Sequence, residues 1–459
     1  MNHLKERKLL YTFLLLVDTF LVLGSYYAAF LVKFPLGDIP ERNFEAYVAV
    51  LPWIALISVI VFLIYDTYAV ARRLTWETVS STIVSTVVIA GCVGLASFVF
   101  RAFALPRLVI LIGSVISFFA ILLWKFILSV LIKENKQKVL LIGSDEEIAH
   151  VKEKVAANLP AGSQFNSCHP GQKRAHIFKK LQEVDTVFIC AGVEQRVSQE
   201  MIQASMMHNV QVYVVPASYE LLLKNADART FDDLLVMSVK DWGLPLEQQL
   251  IKRVGDLVFS LCLLVVTLPI TVLTALAIKF SEPKHPVFYK QKRITMHDKE
   301  FNIYKFRTMV PNAEGKSGPV LAEKNDNRIT KIGKFLRATR IDELPQLFNV
   351  LKGDMSVVGP RPERPHFTEI YKKTYGNYCY RTSVKAGLTG LAQIAGKYET
   401  DVEDKLRYDL YYIRNYSVFF DIVIILKTFK VVLDKQKADG VIKPKQRQTK
   451  VSSEKNVGM

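Results

Sequence analysis

Cysteine is scarce. Cys92, Cys168, Cys190, Cys262 and Cys379 are scattered, odd in number and never spaced C-x-x-C. That argues against a disulfide framework and a zinc ribbon, and it fits a reducing compartment. An aromatic RNA-binding signature is missing as well, so nucleic acid is not an expected partner despite a formal net charge of +17. There is no intact G-x-G-x-x-G fingerprint and no Y-x-x-x-K pair, which argues against a nucleotide-sugar dehydratase or epimerase. D-D-x-x-D is lacking too, since Asp232–Asp233 is followed by Leu-Leu-Val. The first apolar run is too long for the core of a cleavable signal and leads into more such runs.

What is present is apolar and basic. Hydrophobic residues make up 50% of the chain, mean hydropathy is +0.18, and 60 basic residues face 43 acidic ones. This balance points to an anionic membrane surface. Two or three domains are expected at this length. A bilayer core of about 30 Å needs about 20 apolar residues per helix, and residues 9–32, 47–65, 79–100 and 108–132 each qualify. A four-span region over 1–136 is predicted. Asp18 lies inside the first span, as a helix–helix polar contact or, alternatively, a functional group. Lys5, Arg7, Lys8, Arg72, Arg73, Lys133, Lys136 and Lys138 fall in the loops on one side; Lys33, Arg42, Arg101 and Arg107 fall on the other. The bias places both ends of this region in the cytosol.

Composition then shifts to soluble α/β over 137–240. Strands are expected at 139–142, 186–190 and 210–215, with helices between. That alternation predicts a parallel, Rossmann-like sheet. The fingerprint glycines would stand at 143, 145 and 148, where the chain has Gly143, Asp145 and Ile148. Asp145, Glu146 and Glu147 suit a helix N-terminus but would repel a pyrophosphate there. A structural or regulatory role is expected.

Residues 257–280 form another run long enough to span. Pro269 sits at its middle, where an interior proline kinks a helix at a cost of about 3 kcal/mol. Basic residues flank both ends: Lys252 and Arg253 before, then Lys279, Lys284, Lys290, Lys292 and Arg293. A re-entrant helical hairpin that enters one leaflet and returns satisfies both facts; an ordinary fifth span is the alternative. A full crossing would put the acidic pair described next outside the cytosol, away from nucleotide-activated substrates.

That pair, Asp342–Glu343, heads D-E-L-P-Q-L-F-N-V-L-K-G-D-M-S-V-V-G-P-R-P and follows a basic helix carrying Lys334, Arg337 and Arg340. Arg361 stands beyond it. Upstream, Lys305 and Arg307 alternate onto one face of an extended segment, 301–309, where they either engage two phosphates of one ligand or form a solvated basic edge. Asp342 is either a plain N-cap for a helix over 343–351 or a working carboxylate kept ionised by the helix dipole. Adjacent helical side chains diverge by about 100°, so the two carboxylates can take different tasks. Two carboxylates inside a cationic surround suit phosphoryl transfer with a metal ion. Residues 310–327 read as a loop. Its G-K-S at 315–317 lacks the upstream glycine of a P-loop, position 310 being Val. Residues 409–433 read as an interfacial helix pair or, alternatively, a buried core helix, and 435–459 as a basic disordered tail.

From Lys252 onward the chain resembles the bacterial sugar transferases that load a hexose-1-phosphate onto polyprenyl phosphate. The matching residues are K-R-x-x-D (Lys252, Arg253, Asp256), Gln291 and Arg293, K-F-R-T-M, D-E-L-P-Q, G-D-M-S-V-V-G-P-R-P and G-L-T-G-L-A-Q-I. The four spans and Rossmann-like middle look like the long form of that family. The resemblance implies a monotopic catalytic domain over 250–434 with a re-entrant helix kinked at Pro269. It implies that Asp342 attacks the sugar-linked phosphorus of a UDP-sugar, releasing UMP, before undecaprenyl phosphate takes the phosphosugar. Glu343 would hold Mg²⁺, and Lys305, Arg307, Arg337, Arg340 and Arg361 would contact substrate. The implied setting is the bacterial inner membrane, with lipid and, optionally, a second copy of the chain as partners, at the start of exopolysaccharide, capsule or O-antigen assembly. One departure stands out. The family's glycines four and seven residues after Gln291 are Thr295 and Asp298 here. The competing reading is a non-enzymatic membrane scaffold or nucleotide-sensing regulator, which would bind near Gly143.

Overall fold

The computed structural model describes residues 2–34, 39–65, 75–100, 104–131, 136–156, 159–160, 162–172, 174–224, 226–231, 234–239, 243–311, 326–396 and 400–433. The tail, most of the 310–327 loop with its G-K-S, and Arg72, Arg73, Arg101 and Lys133 lie outside the described residues. The chain forms two compact units, 1–240 and 241–459.

The first unit opens with four helices: α1 (Asn2–Lys33), α2 (Glu41–Tyr65), α3 (Trp76–Val99) and α4 (Arg107–Leu131). They pack in a ring, each on its neighbours, with α4 closing back on α1. Each is long and apolar enough to cross a membrane. Their outward residues, such as Phe20, Leu63, Leu95 and Leu123, are exposed, while Tyr26, Val50, Val93 and Ile121 face inward. A helix apolar on every side suits a lipid surround rather than water. Asp18 is buried in the bundle. So is Lys125 of α4, whose Nζ lies 3.4 Å from Thr82 Oγ1. Lys125 was not singled out from the sequence, because one lysine near the end of a long apolar run reads as a flank.

An α/β layer follows: β1 (Lys138–Ile142), α5 (Asp145–Ala156), β2 (Gln164–Cys168), α6 (Arg174–Leu181), β3 (Thr186–Ile189), α7 (Gln195–Met207), β4 (Gln211–Val214), α8 (Ser218–Leu223), and the antiparallel pair β5 (Asp227–Phe231) and β6 (Leu234–Ser238). The first four strands form a parallel sheet in the order β2-β1-β3-β4. β1 is buried along Val139–Ile142 because it is central, with helices to either side in sequence. β2 was missed because Q-F-N-S-C is an edge strand that carries polar residues.

At the carboxyl ends of β1 and β3, Glu147 bridges the two loops that follow the strands. Its carboxylate accepts from Ser144 N at 3.2 Å, Ser144 Oγ at 2.9 Å and Gly192 N at 2.7 Å. A Cβ at Gly192 would come within 2.9 Å of Glu147 Oε1. The chain therefore supplies its own anion to the amides.

The second unit contains α9 (Leu246–Ser281), β7 (Phe288–Ile294), β8 (Glu300–Phe306), α10 (Lys331–Ala338), α11 (Gln346–Lys352), β9 (Ser356–Val358), α12 (Pro365–Thr374), β10 (Gly387–Thr389), α13 (Leu391–Ala395), α14 (Val402–Arg414) and α15 (Val418–Leu433). Strands β7 and β8 pair antiparallel, and β9 pairs parallel with β10. The expected helix pair breaks at Asn415, and α14 starts before the predicted 409. Helix α9 continues past Pro269, which itself supplies no backbone donor. Together with the four N-terminal helices, it brings the described helices able to span a bilayer to five, which marks a membrane protein.

Both ends of α9 grip the same body. Near its start Lys252 Nζ meets Asp421 at 2.6 Å, and Asp256 Oδ1 accepts from Val357 N at 2.9 Å. Near its end Ile278 packs on Phe306 and Leu336. Between them Val265, Val266 and Leu273 are 63%, 72% and 66% exposed.

Replacing Glu147 by Ala should strand two backbone amides, at roughly 1–3 kcal/mol each. Hydrogen exchange of the full chain should then quicken about tenfold or more at residues 143–147 and 190–193. Added NAD⁺ should leave the parent's exchange unchanged. Slow exchange in the variant, or NAD⁺ protection in the parent, would refute this reading of the loop.

Candidate active site

Three segments meet at the acidic pair: β8, the turn 341–343, and the loop 359–362 after β9. The β7–β8 ladder runs in register from Phe288↔Phe306 to Ile294↔Glu300. It closes through His297 and Asp298, both left-handed at φ 55° and 58°. Asp298 thus adopts a backbone that glycine takes at no steric cost, and Asp is among the residues that tolerate it. It is tied down by Thr382 Oγ1 at 3.0 Å and Lys372 Nζ at 2.6 Å. Thr295, at the other substituted position, is buried; its hydroxyl donates to Asp354 O at 2.8 Å and accepts from Ala386 N. The two departures are accommodated by side-chain bonds that glycine could not make.

Helix α10 starts at the Thr330 N-cap, whose hydroxyl accepts from Gly333 N at 3.0 Å. Arg340 then reverses the chain with φ 58°, and Ile341–Glu343 form one 3₁₀ turn. The expected helix over 343–351 is thereby corrected. Helix α11 begins at Gln346 behind Pro345, which lacks an N–H and fits a helix start. Asp342 is not its N-cap. Side chains in a 3₁₀ turn diverge by about 120°, so the two carboxylates still face apart. Gly353, left-handed at φ 95°, ends α11.

Asn349, fully buried on α11, was overlooked in the sequence. Its Nδ2 donates to Asn302 O at 2.8 Å and its Oδ1 accepts from Tyr304 N at 3.0 Å. One amide thus stitches α11 to the free edge of β8 and sets Lys305 opposite the turn. The signal was there, as a polar residue on an otherwise apolar helix face.

Lys305 Nζ lies 2.9 Å from Glu343 Oε1, and Arg361 Nη2 lies 3.0 Å from the same oxygen. Burial alone would raise the Glu343 carboxyl. Lys305, Arg361 and Arg340 outweigh it and hold the group well below the usual carboxylate range. Asp342 is 8% exposed and makes no hydrogen bond through its carboxylate to the described residues. Burial pushes it up to about 6, assisted by Glu343 and opposed by Lys305, Arg337 and Arg340. The expected help from a helix dipole is corrected, because Asp342 lies in the 3₁₀ turn ahead of α11; the nearby cations favour its charged form instead, against the larger effect of burial. The pair therefore splits into one carboxylate firmly charged and one whose charge is held reluctantly.

The loop that aims Arg361 is clamped. Pro360 O accepts from Gly387 N, Arg361 O from Arg381 Nη2, Pro362 O from Arg293 Nη1 and Glu363 O from Ile294 N, at 2.8, 2.5, 3.0 and 2.9 Å. Two prolines remove competing donors, so four successive carbonyls bind to different parts of the fold. Arg381 is fixed by Asp409 at 2.6 Å and by Tyr378 Oη at 3.1 Å, all buried. This support was not read from the sequence, since its members lie 17 to 48 residues from Arg361.

The predicted residues do not all converge. Asp342, Glu343, Lys305 and Arg361 do, and the charges of Arg337 and Arg340 are felt at Asp342. Arg307 follows β8 and faces Glu282 beyond α9, at 3.0 Å. It is not brought to Glu343 beside Lys305: its guanidinium is taken by Glu282, next to the end of α9, while its backbone N–H still bonds Val287 O in the hairpin register. Pro269 lies in the exposed middle of α9. Oxygen ligands suit Mg²⁺, and the set fits: Glu343 Oε2 makes no hydrogen bond to the described residues, and the Asp342 oxygens are likewise unspent.

Residues 247–435 match the bacterial sugar transferase family. The chain is 41% identical over 186 residues to a UDP-N-acetylgalactosamine-undecaprenyl-phosphate N-acetylgalactosaminephosphotransferase of Aeromonas hydrophila, covering 40% of this chain and 44% of that protein. It is 36% identical over 259 residues to a UDP-glucose:undecaprenyl-phosphate glucose-1-phosphate transferase of Klebsiella pneumoniae, covering 55% of each. The chain spans about half the length of these curated relatives. A shorter relative, the uncharacterized sugar transferase EpsL of Bacillus subtilis, is 40% identical over 184 residues, which are 40% of this chain and 88% of that protein. With the acidic turn, the clamped G-P-R-P loop and the two-ended membrane helix on one body, these matches establish that the chain belongs to the bacterial sugar transferase family.

Proposed function

We propose that the protein transfers a hexose-1-phosphate from a UDP-sugar to undecaprenyl phosphate through a covalent phospho-Asp342 intermediate. The observation that carries this is the unspent, buried Asp342 carboxylate beside a Glu343 already held by Lys305 and Arg361. An Asp342 oxygen bonds the sugar-linked phosphorus, and the bridging P–O bond breaks with its electron pair leaving on UMP. A phosphate oxygen of undecaprenyl phosphate then bonds the same phosphorus, and the Asp342–phosphorus bond breaks to regenerate the carboxylate. Arg337 and Arg340 offset the charge that gathers around Asp342. Glu343 and the incoming phosphates would hold Mg²⁺, which when bound neutralises phosphate charge. The relatives' names carry different sugars, so the donor is stated as a class.

The setting follows from α9. A helix attached at both ends to one body, with its apolar middle uncovered, supports a re-entrant element bent at Pro269 in one leaflet. The catalytic unit then sits on the cytosolic face of the bacterial plasma membrane, where the nucleotide donor is. The parallel sheet of the first unit supports a Rossmann-like domain without a bound dinucleotide. A nucleotide-sensing scaffold would need the loop that Glu147 fills.

Three outcomes are expected. Donor alone should release UMP and leave an intact-mass adduct of one phosphosugar, and Asp342→Asn should lower turnover by at least about 10³-fold; full activity in that variant would refute the nucleophile. Glu343→Gln should weaken the dependence on Mg²⁺, raising the concentration for half-maximal rate about tenfold or more; an unchanged titration would remove Glu343 from the metal. Cysteines placed at Glu247 and Lys284 in a cysteine-free background should both react with an impermeant maleimide from the cytosolic side only. Labelling from opposite sides would mean a full crossing.

A further inference from the structure

A hollow opens beside the acidic turn, lined by Arg293, Ile303, Lys305, Gln346, Arg361 and Pro362. Its volume is about 10 Å³, room for a single water or oxygen atom. Every polar side chain on its wall is a hydrogen-bond donor or can present one. Lys305 and Arg361 are engaged by Glu343. Gln346 is different. It is 3% exposed, and its Nε2 has no hydrogen-bond partner among the described residues. Arg293 is the second case. Its Nη1 donates to Pro362 O at 3.0 Å and its Nη2 to Gln291 Oε1 at 2.9 Å, while its buried Nε donates to none of the described residues.

Buried donors without acceptors are uncommon in folded proteins. Two of them on the wall of one oxygen-sized hollow, flanked by two cations, describe an acceptor that arrives from outside. The acceptor is small, electron-rich and anionic. A non-bridging oxygen of a phosphoryl group satisfies all three requirements; an apolar or cationic group satisfies none.

We propose that Gln346 and Arg293 receive one non-bridging oxygen of the phosphoryl group that Asp342 attacks. This rests on the reading of Asp342 as the nucleophile. The two residues bind the oxygen through Gln346 Nε2 and Arg293 Nε, and the contact tightens as negative charge spreads over the phosphoryl oxygens in transfer. Gln346 sits one residue after Pro345, at the start of α11, so the turn carrying the carboxylates and the pocket for the oxygen are built from one short stretch.

The test uses the full chain and the donor half-reaction, read as UMP release in a single turnover. Gln346→Leu keeps the bulk and removes the donor, and should slow UMP release by on the order of 10²-fold, with donor affinity changed less than about threefold. The second measurement uses UDP-sugars with sulfur in place of one β-phosphate non-bridging oxygen. The parent should prefer one diastereomer by about tenfold or more, because sulfur is too large for the hollow. Gln346→Ala, which widens the hollow, should lose most of that preference whatever its absolute rate, so a stability defect cannot mimic the result. UMP release by Gln346→Leu at the parent rate, with the diastereomer preference intact in Gln346→Ala, would overturn the proposal. Slowing confined to the acceptor half-reaction would also overturn it, and would place the acceptor's phosphate in the hollow. Neither outcome touches the nucleophile, which stands or falls with Asp342→Asn.

Discussion

One carboxylate oxygen, Glu343 Oε1, is shared between Lys305 and Arg361, and the second unit is organised about that sharing. The two cations come from segments 56 residues apart, a strand and a proline-flanked loop. Neither would be held near the other without an anion between them. Removing either cation would leave the largely buried Glu343 carboxylate less well compensated, more so for the less exposed Lys305 than for Arg361. The surrounding fold is accordingly devoted to keeping each contributor fixed. Asn349 binds the strand to α11, and the clamp on residues 360–363 fixes the loop. Asp342, one methylene shorter than its neighbour, sits in a different environment. The same cations reach it, but no hydrogen bond from the described residues does.

The division of labour between two adjacent carboxylates is thus an electrostatic outcome of a single 3₁₀ turn. One side chain is turned into the ion cluster and loses its proton readily. The other is turned under the surface, where burial opposes ionisation. An α-helix starting at Glu343 would have put the pair on a regular surface with a milder difference. Pro345 delays the helix and makes the sharper geometry available.

Much of this was legible in the sequence, and the reasons can be assigned. Long apolar runs announce membrane helices because the bilayer demands length. The acidic pair, its basic flanks and the G-P-R-P segment were visible because chemistry concentrates charge within short distances along the chain. The failures share a different cause. Arg381, Asp409 and Tyr378 act on Arg361 across 17 to 48 residues, and no local pattern records such a contact. Lys305 and Arg307 obey strand alternation, and Arg307 N still bonds Val287 O at 2.9 Å in the hairpin register, yet Lys305 meets Glu343 and Arg307 meets Glu282, and no local pattern records which acid each cation finds. Gly143 and its neighbours showed that a dinucleotide would be repelled, but not that Glu147 itself would bridge the two loops.

Arg253 gives the membrane helix a mechanical connection to the chemistry. Its guanidinium donates to Val350 O at 2.6 Å and Leu351 O at 2.8 Å, the carbonyls that end α11. That helix is seven residues long, about 10 Å at 1.5 Å per residue, and its opposite end adjoins the carboxylate turn. Helix α9 and the acidic turn are therefore joined by one short helix with no slack in it. A shift of the apolar helix passes to the two carboxylates as a displacement of their turn.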